Sequence, residues 1–473
     1  MDRRLNIAFV HPNLGIGGAE RLVVDTALGL QRRGHRVVLY TMHHDPAHCF
    51  EETRDGTLEV RVCRTRLVPS SVCGRLHILC TILQSLALAR RVATDPAQYD
   101  VLFVDQLSAP IPLLKHAHAH ILFYCHFPDY LQARRDGAWR RLYRAPFDLL
   151  EELTTAEADE IAVNSRFTQE AFRAAFPRIA RLPRVLMPAL NLAAYDRPPD
   201  LADPALAVLR TAKRLVVSIN RFERKKDVAL AIDAFAALGD PTACLVVAGG
   251  WDVHVPENIE HLVELEARAR GLGLRTRTVA PRGSGAAALA LLPAGAVRTP
   301  TLPDDGGSGS GSSERLAETD VLFLPSFSEN QRAFLLSVAR CTVYTPANEH
   351  LGIVPLESMY MRVPVVAADS GGPRETVPHG VAGYLCEPAS RDAFGAAIRR
   401  VLAAPDDAWA AMGAAGRERV RRDFGLDAYT ARLERIVAEM LARPQAGSPV
   451  LAAMAVALVA LAAAAALALA RWV

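Results

Sequence analysis

NEHLGIVPLE, residues 348–357, carries two carboxylates, Glu349 and Glu357, with seven residues between them around an apolar turn. Upstream, Val343 and Tyr344 are strand formers, and Thr345-Pro346-Ala347-Asn348 breaks the strand. Pro355 fits a helix only in its first turn, so the stretch reads as strand, loop, helix. A helix N-terminus offers unpaired N–H groups and positive dipole to an anion, so Gly352, Ile353 and Val354 can receive a diphosphate. Glu357, inside the helix, can accept both hydroxyls of a ribose. Glu349, in the loop, can reach a hexose hydroxyl or face its developing positive charge. Two solvated glutamates would produce the same pattern, and three other stretches separate these readings.

In SINRFERKKDVALAIDAF, residues 218–235, a buried strand at 215–219 leads through Arg221 and Lys226 into an amphipathic helix from Val228 to Phe235. Two cations on such a loop can neutralise the diphosphate leaving group of a nucleotide sugar, whereas Arg224 and Lys225 read as solvated. Near the start, NIAFVHP is a strand, and Asn13 to Glu20 is a glycine-rich turn into a helix. Gly17 and Gly18 there allow close approach of a substrate to the backbone. The spacing is not GxGxxG, and RVVLYT runs into Met42-His43-His44 with no acidic residue for an adenosine ribose, which argues against a nicotinamide enzyme. SGGPRE, residues 370–375, follows the strand VPVVAAD and makes another anion-friendly turn. Together these loops form a nucleotide-sugar cradle at the strand ends of a second α/β domain.

At this point the chain resembles family 4 glycosyltransferases of the GT-B type, an α/β fold of two facing Rossmann-like domains with the reaction in the cleft. Longer strings narrow the likeness: ILFYCHFPDYL (121–131), RLYRAPFD (141–148), VNSRFT (163–168), SINRFERKKD (218–227), YTPANEHLGIVPLESMYM (344–361) and SGGPRE (370–375). They resemble the eukaryotic α-1,3/1,6-mannosyltransferases of dolichol-linked oligosaccharide assembly, from about residue 5 to about 440. The resemblance implies a retaining enzyme that uses GDP-mannose to convert Man1GlcNAc2-diphosphodolichol to Man3GlcNAc2-diphosphodolichol. It implies that Arg221 and Lys226 hold the GDP diphosphate, Glu357 the ribose and Glu349 the mannose. His126 would line the acceptor side near the mannose, with Gly17 and Gly18 facing the cleft. No metal is needed, because the two cations perform its charge neutralisation. GDP-mannose is a co-substrate, and no cofactor is expected. Two alternatives stay open: a lipid-linked glycosyltransferase using UDP-N-acetylglucosamine, and a catalytically inactive membrane-tethered scaffold.

The 473 residues, 51% hydrophobic, suffice for two domain cores, and a formal net charge of +3 gives no reason to invoke nucleic acid. Eight scattered cysteines without a CxxC pair, and no secretory signal in MDRRLNIAFV, point to reduced thiols. Residues 1–197 read as the acceptor-side domain, with Asp196 to Asp200 as linker. Residues 198–426 read as the nucleotide-sugar-binding domain and 427–445 as a helix crossing back to the first domain. Gly273 to Arg315, ending in GGSGSGSS, reads as a low-complexity insertion or a gene-model error. Residues 449–470 are apolar, uncharged and long enough to span a bilayer as a C-terminal transmembrane helix. Arg432, Arg435 and Arg443 before the span leave the catalytic domains in the cytosol, and the resemblance implies the endoplasmic reticulum membrane. Partners would then be the membrane, the dolichol-linked oligosaccharide and other glycosyltransferases of the pathway. Leu76 to Ala89 reads either as a core helix or as a membrane-surface segment, and the Arg134 to Arg144 cluster either as a headgroup patch or as a solvated face.

Overall fold

A computed structural model describes residues 3–63, 68–69, 71, 76–133, 137–252, 255–279 and 318–445, with all their side chains except those of Trp139 and Val208. The chain divides into two compact units, residues up to Ala189 together with the chain from Leu426 on, and Leu190–Gly425.

The first unit is built on parallel strands β1 (Asn6–Val10), β2 (Arg36–Thr41), β3 (Glu59–Val62), β4 (Val101–Asp105), β5 (His120–Cys125), β6 (Glu160–Val163) and β7 (Arg184–Val185), in spatial order β3-β2-β1-β4-β5-β6-β7. Covered on both faces, the inner strands read as apolar runs, and all five residues of VLFVD in β4 are buried. Alternate side chains feed different cores: Ile7 and Phe9 join one, Ala8 and Val10 the other. Helix Leu426–Leu441 belongs to this unit. Its Tyr429, Leu433, Ile436, Val437 and Met440 enter the core, and Tyr429 Oη lies 2.8 Å from Thr26 Oγ1.

The second unit repeats the plan with β8 (Arg214–Ile219), β9 (Ala243–Gly249), β10 (Thr276–Thr278), β11 (Val321–Pro325), β12 (Ala339–Tyr344), β13 (Val365–Ala368) and β14 (Gly383–Cys386), in order β10-β11-β9-β8-β12-β13-β14. In each sheet the first strand is flanked by neighbours whose connections run in opposite directions, β2 and β4 around β1, β9 and β12 around β8. The crevice at such a switch point, outside the carboxyl ends of the strands, is where this architecture binds ligands.

Three expectations change. The division falls at Ala189/Leu190, because Asp196 of the expected linker is held inside the second unit: its carboxylate accepts from Tyr360 Oη at 2.9 Å and Arg417 Nη2 at 2.7 Å. The expected insertion cannot begin at Gly273, since β10 pairs in parallel with β11; 280–317 lies outside the described residues. Edge strands β3, β7 and β10 escaped notice because they are short or charged, as EVRV, RV and TRT. Leu76 to Ala89 lies largely in helix His77–Ala93, whose Cys80, Ile82, Ser85, Leu88, Ala89 and Val92 are buried. No helix among the described residues is long and apolar enough to cross a membrane. The expected span 449–470 lies outside them, as do Arg134 and Arg135.

Candidate active site

Lys226 and Glu349 meet at the switch point of the second sheet. Lys226 closes the short 3-10 turn Arg224–Lys226 after β8, and Glu349 sits in the loop after β12. Their side chains form an ion pair, 16% and 22% exposed. Tyr344 Oη, at the end of β12, donates to the same carboxylate oxygen at 3.3 Å, and Thr345 Oγ1 donates to the carbonyl of Lys226 at 2.9 Å. Burial raises the Glu349 carboxyl, but the Lys226 ammonium beside it outweighs that effect and holds it below its ordinary value.

The loop is clamped from below by the turn after β13. Gly371 has φ +59°, and a β-carbon there would run into the backbone of Glu349; one at Gly372 would run into the backbone of Leu351. Gly372 N–H donates to the carbonyl of Glu349 at 2.7 Å. Gly352, with φ +79°, is the N-cap of helix Ile353–Tyr360, which exposes Ile353 and half-buries Val354. The three backbone N–H groups of Gly352, Ile353 and Val354 thus open a helix beside Glu349.

Glu357 lies on the buried side of that helix. One carboxylate oxygen accepts from Tyr195 Oη at 2.6 Å and Arg332 Nη1 at 3.2 Å. The other, Oε2, is buried and has no hydrogen-bond partner among the described residues. Arg332 is set by a reciprocal cap, in which Gln331 N–H donates to Ser328 Oγ at 3.1 Å and Ser328 N–H donates to Gln331 Oε1 at 2.9 Å. Burial lowers the Arg332 guanidinium, and the adjoining Glu357 and Glu329 more than restore it. A buried carboxylate with one fixed and one unsatisfied oxygen is built to accept another donor.

Arg221 stands apart from both carboxylates. Its side chain is 69% exposed and pairs with Glu223 at 3.1 Å, and Lys225 shares that carboxylate at 3.0 Å. Arg224 is exposed, as expected, and makes surface ion pairs with Glu260 and Glu264. The structure therefore joins Lys226 to Glu349 but gives Arg221 and Glu357 other partners.

The expected residues of the first unit gather at its own switch point. His126 follows β5, with its Nε2 2.8 Å from Asp105 Oδ1 and its ring edge-on to Tyr124. Gly17 is the extended N-cap of helix Gly18–Arg32, where a β-carbon would collide with the Glu20 side chain; Gly18 borders open space. Tyr195, Arg332 and Tyr344 in the second unit, and His11, Glu20 and Asp105 in the first, were not read as site residues. Their only signal was position, since His11, Asp105 and Tyr344 close or follow strands. Among the described residues no cluster of three or more His, Cys, Asp or Glu could hold a metal ion.

Residues 16–188 match the family model for Glycosyltransferase Family 4 and 311–419 that for Glycosyl transferases group 1. The alpha-1,3/1,6-mannosyltransferase ALG2 of Rhizomucor pusillus is 46% identical over 450 residues, covering 93% of this chain and 92% of the relative. That of Homo sapiens is 40% identical over 455 residues, with 92% and 96% covered. The chain belongs to the ALG2 family of alpha-1,3/1,6-mannosyltransferases. Solved structures bear on this ALG2-family fold alone. Sucrose-phosphate synthase from Thermosynechococcus elongatus gives a TM-score of 0.66 at 21% identity, covering 93% of this chain and all of that one. Anabaena HepE, solved with UDP and glucose, gives 0.62 at 19% identity, covering 92% of this chain and all of that one. Neither the UDP-N-acetylglucosamine reading nor the inactive scaffold is favoured beside ALG2 relatives matched along nearly their whole length.

Proposed function

We propose that this ALG2-family mannosyltransferase uses GDP-mannose to add an α-1,3 and an α-1,6 mannose to Man1GlcNAc2-diphosphodolichol in N-glycan precursor synthesis. The observation that carries the donor assignment is the partly buried, solvent-reached Lys226–Glu349 pair beside a helix N-terminus. An arriving diphosphate takes Lys226 and Arg221 as its counter-cations and the N–H groups of Gly352, Ile353 and Val354 as donors. Glu349, relieved of Lys226, turns to the mannose, and the unsatisfied Oε2 of Glu357 accepts from the ribose. The C1–O bond to the GDP phosphate breaks, and the bond from C1 to the acceptor hydroxyl oxygen forms on the same face. The departing phosphate takes the hydroxyl proton. Stabilising its charge is the main catalytic effect. A trapped covalent mannosyl-enzyme would rule this route out.

His126, Gly17 and Gly18 act on the acceptor side in this reading. The apolar segment 449–470, preceded by Arg432, Arg435 and Arg443, supports attachment to the endoplasmic reticulum membrane with both units in the cytosol, beside a lipid-linked acceptor. The test is incubation of membranes containing the full chain with GDP-mannose or UDP-N-acetylglucosamine and a short-chain lipid-linked Man1GlcNAc2. Two hexoses added from GDP-mannose alone are expected. A single added hexose would restrict the reading, and transfer from the UDP-sugar would replace it.

A further inference from the structure

Three adjacent strands of the first sheet deliver an uninterrupted row of polar side chains to one place. His11 follows β1, Asp105 ends β4 and His126 follows β5, and in the sheet β4 lies between β1 and β5. The Asp105 carboxylate therefore lies between two imidazoles: Oδ2 is hydrogen-bonded to His11 Nδ1 at 2.8 Å, and Oδ1 is 2.8 Å from His126 Nε2, a charge contact without hydrogen-bond alignment. His11 and Asp105 are 1% and 0% exposed at their side chains, whereas His126 is 25% exposed. The row runs from the interior outward and ends on an imidazole that solvent can reach.

We infer that Asp105, braced by His11, is a positioning residue for mannosyl transfer, fixing the His126 ring through Nε2 so that Nδ1 is the nitrogen left for substrate. This rests on the reading of His126 as a substrate-facing group. A carboxylate without access to water needs compensating charge, and His11 supplies it. Burial lowers the His11 imidazole, but Asp105 and Glu20, whose Oε1 lies 3.8 Å from His11 Nε2, raise it to about 9, so it is a cation at neutral pH. The Asp105 carboxyl, which burial raises, is brought down to about 2 chiefly by His126 and His11. With His11 already meeting its charge, a merely buried Asp105 has no need of a second imidazole. Two further restraints fix this end of the row. Gln106 takes φ +66° directly after Asp105, a turn that costs a non-glycine residue energy, and Asn164 Nδ2 donates to the His126 carbonyl at 3.0 Å. Among the described residues His126 Nδ1 takes no hydrogen bond, which leaves the outer nitrogen available while Nε2 faces the Asp105 carboxylate at 2.8 Å.

The experiment uses the full chain in detergent with 15N-labelled histidine, whose ring-nitrogen shifts report which nitrogen carries the proton. In the wild type, His126 is expected to carry its proton on Nε2. A neutral Nδ1–H form would overturn the inference without any variant, so it stays testable even where Asp105→Asn does not fold. Asp105→Asn is expected to change the His126 ring shifts and lower kcat by about tenfold or more, with KM for GDP-mannose nearly unchanged. The double variant Asp105→Asn, His126→Ala should be no slower than His126→Ala alone, because Asp105 acts through that ring. Additive losses, or an Asp105→Asn enzyme with wild-type shifts and kcat, would overturn the inference. If His126→Ala keeps full activity, the substrate-facing reading falls and the catalytic claim with it. That outcome is recognisable because the ring shifts of His126 would still respond to Asp105→Asn.

Discussion

The two switch points share a topology and use charge in opposite ways. In the second unit, Lys226 and Glu349 meet on the loops after β8 and β12, mostly buried but still reached by solvent, held to each other and to Tyr344. In the first unit, His11 and Asp105 are sealed beneath His126. A mostly buried pair on loops that solvent still reaches can exchange one partner for a charged ligand, because the incoming charge compensates the one released. A buried one cannot let go without stranding a charge. In the proposed reading, the switch-point crevice is a receiving site in one unit and a fixed anchor in the other. The difference lies in whether the charges sit on loops beyond the strands or at the strand ends themselves.

The sharpest way to break the comparison is Lys226→Ala. Loss of a cation from the departing diphosphate should lower kcat by about 10²–10³-fold, as removal of one well-placed charge-stabilising group does elsewhere. Glu349 should then rise above its ordinary carboxyl value, moving the acid limb of the pH–rate profile upward, since burial raises it and Lys226 is the main group lowering it. Folding should be little affected. Steady-state kinetics on the variant decide it, and near-wild-type kcat would remove Lys226 from the chemistry.

Gly371→Ala tests the clamp beneath the receiving site. The residue would have to hold φ +59° and seat a β-carbon against the backbone of Glu349. Left-handed backbone and overpacking together should cost roughly 2–4 kcal/mol. Urea unfolding should show an earlier midpoint, and because relief of the clash moves Glu349, activity should fall even in the folded fraction. Unchanged midpoint and kcat would mean the loop is looser than its contacts imply.

How much of this was legible depended on where the information resides. The motif strings 218–227 and 344–361 located Lys226, Glu349 and Glu357, because strand, breaker and helix-opening proline are local features. Partners were not legible. Nothing in the order of residues says that Tyr195 reaches Glu357 across 162 positions, or that His11 and Asp105 join across 94. Arg221 and Lys226 read as two cations on one strand-to-helix loop, and their resting partners were not legible either. The 3-10 turn Arg224–Lys226 sets Lys226 on Glu349, while Arg221 pairs with Glu223. The edge strands were missed for a related reason: two- to four-residue strands with charged members gain their stability from the neighbour they pair with, not from their own pattern.

The sealed anchor should reveal itself through pH. His11 is held at about 9 against an ordinary 6.5, so the folded chain binds that proton more tightly than the unfolded chain. Its stabilisation is fully present below pH 6.5 and is lost as pH rises through about 9. Asp105, held at about 2 against 3.8, contributes above 3.8 and loses that contribution as pH falls toward 2. Between pH 6.5 and 9 the chain should lose on the order of 2–3 kcal/mol. Urea midpoints for wild type and His11→Gln across that window measure it: the wild type should slope downward, and the variant should lack that component. Parallel profiles would mean that His11 is neutral when buried.

The smallest effect expected is also the finest test of the contrast, because Glu357 belongs to both kinds of site. It lies in the receiving unit yet is as buried as the anchor of the first, with one oxygen fixed by Tyr195 and Arg332 and the other unsatisfied. Tyr195→Phe removes a 2.6 Å hydrogen bond and leaves the ring in place. If Tyr195 only steadies the carboxylate, Arg332 still holds it, and KM for GDP-mannose should rise about threefold to tenfold with kcat nearly constant, the cost of roughly 0.5–1.5 kcal/mol. If the carboxylate swings once freed, kcat falls as well, and Glu357 behaves like the exchangeable Lys226–Glu349 pair. Unchanged kinetics would show that the Arg332 guanidinium alone sets the orientation, making Glu357 an anchor of the same kind as Asp105, with an arginine in the place of His11.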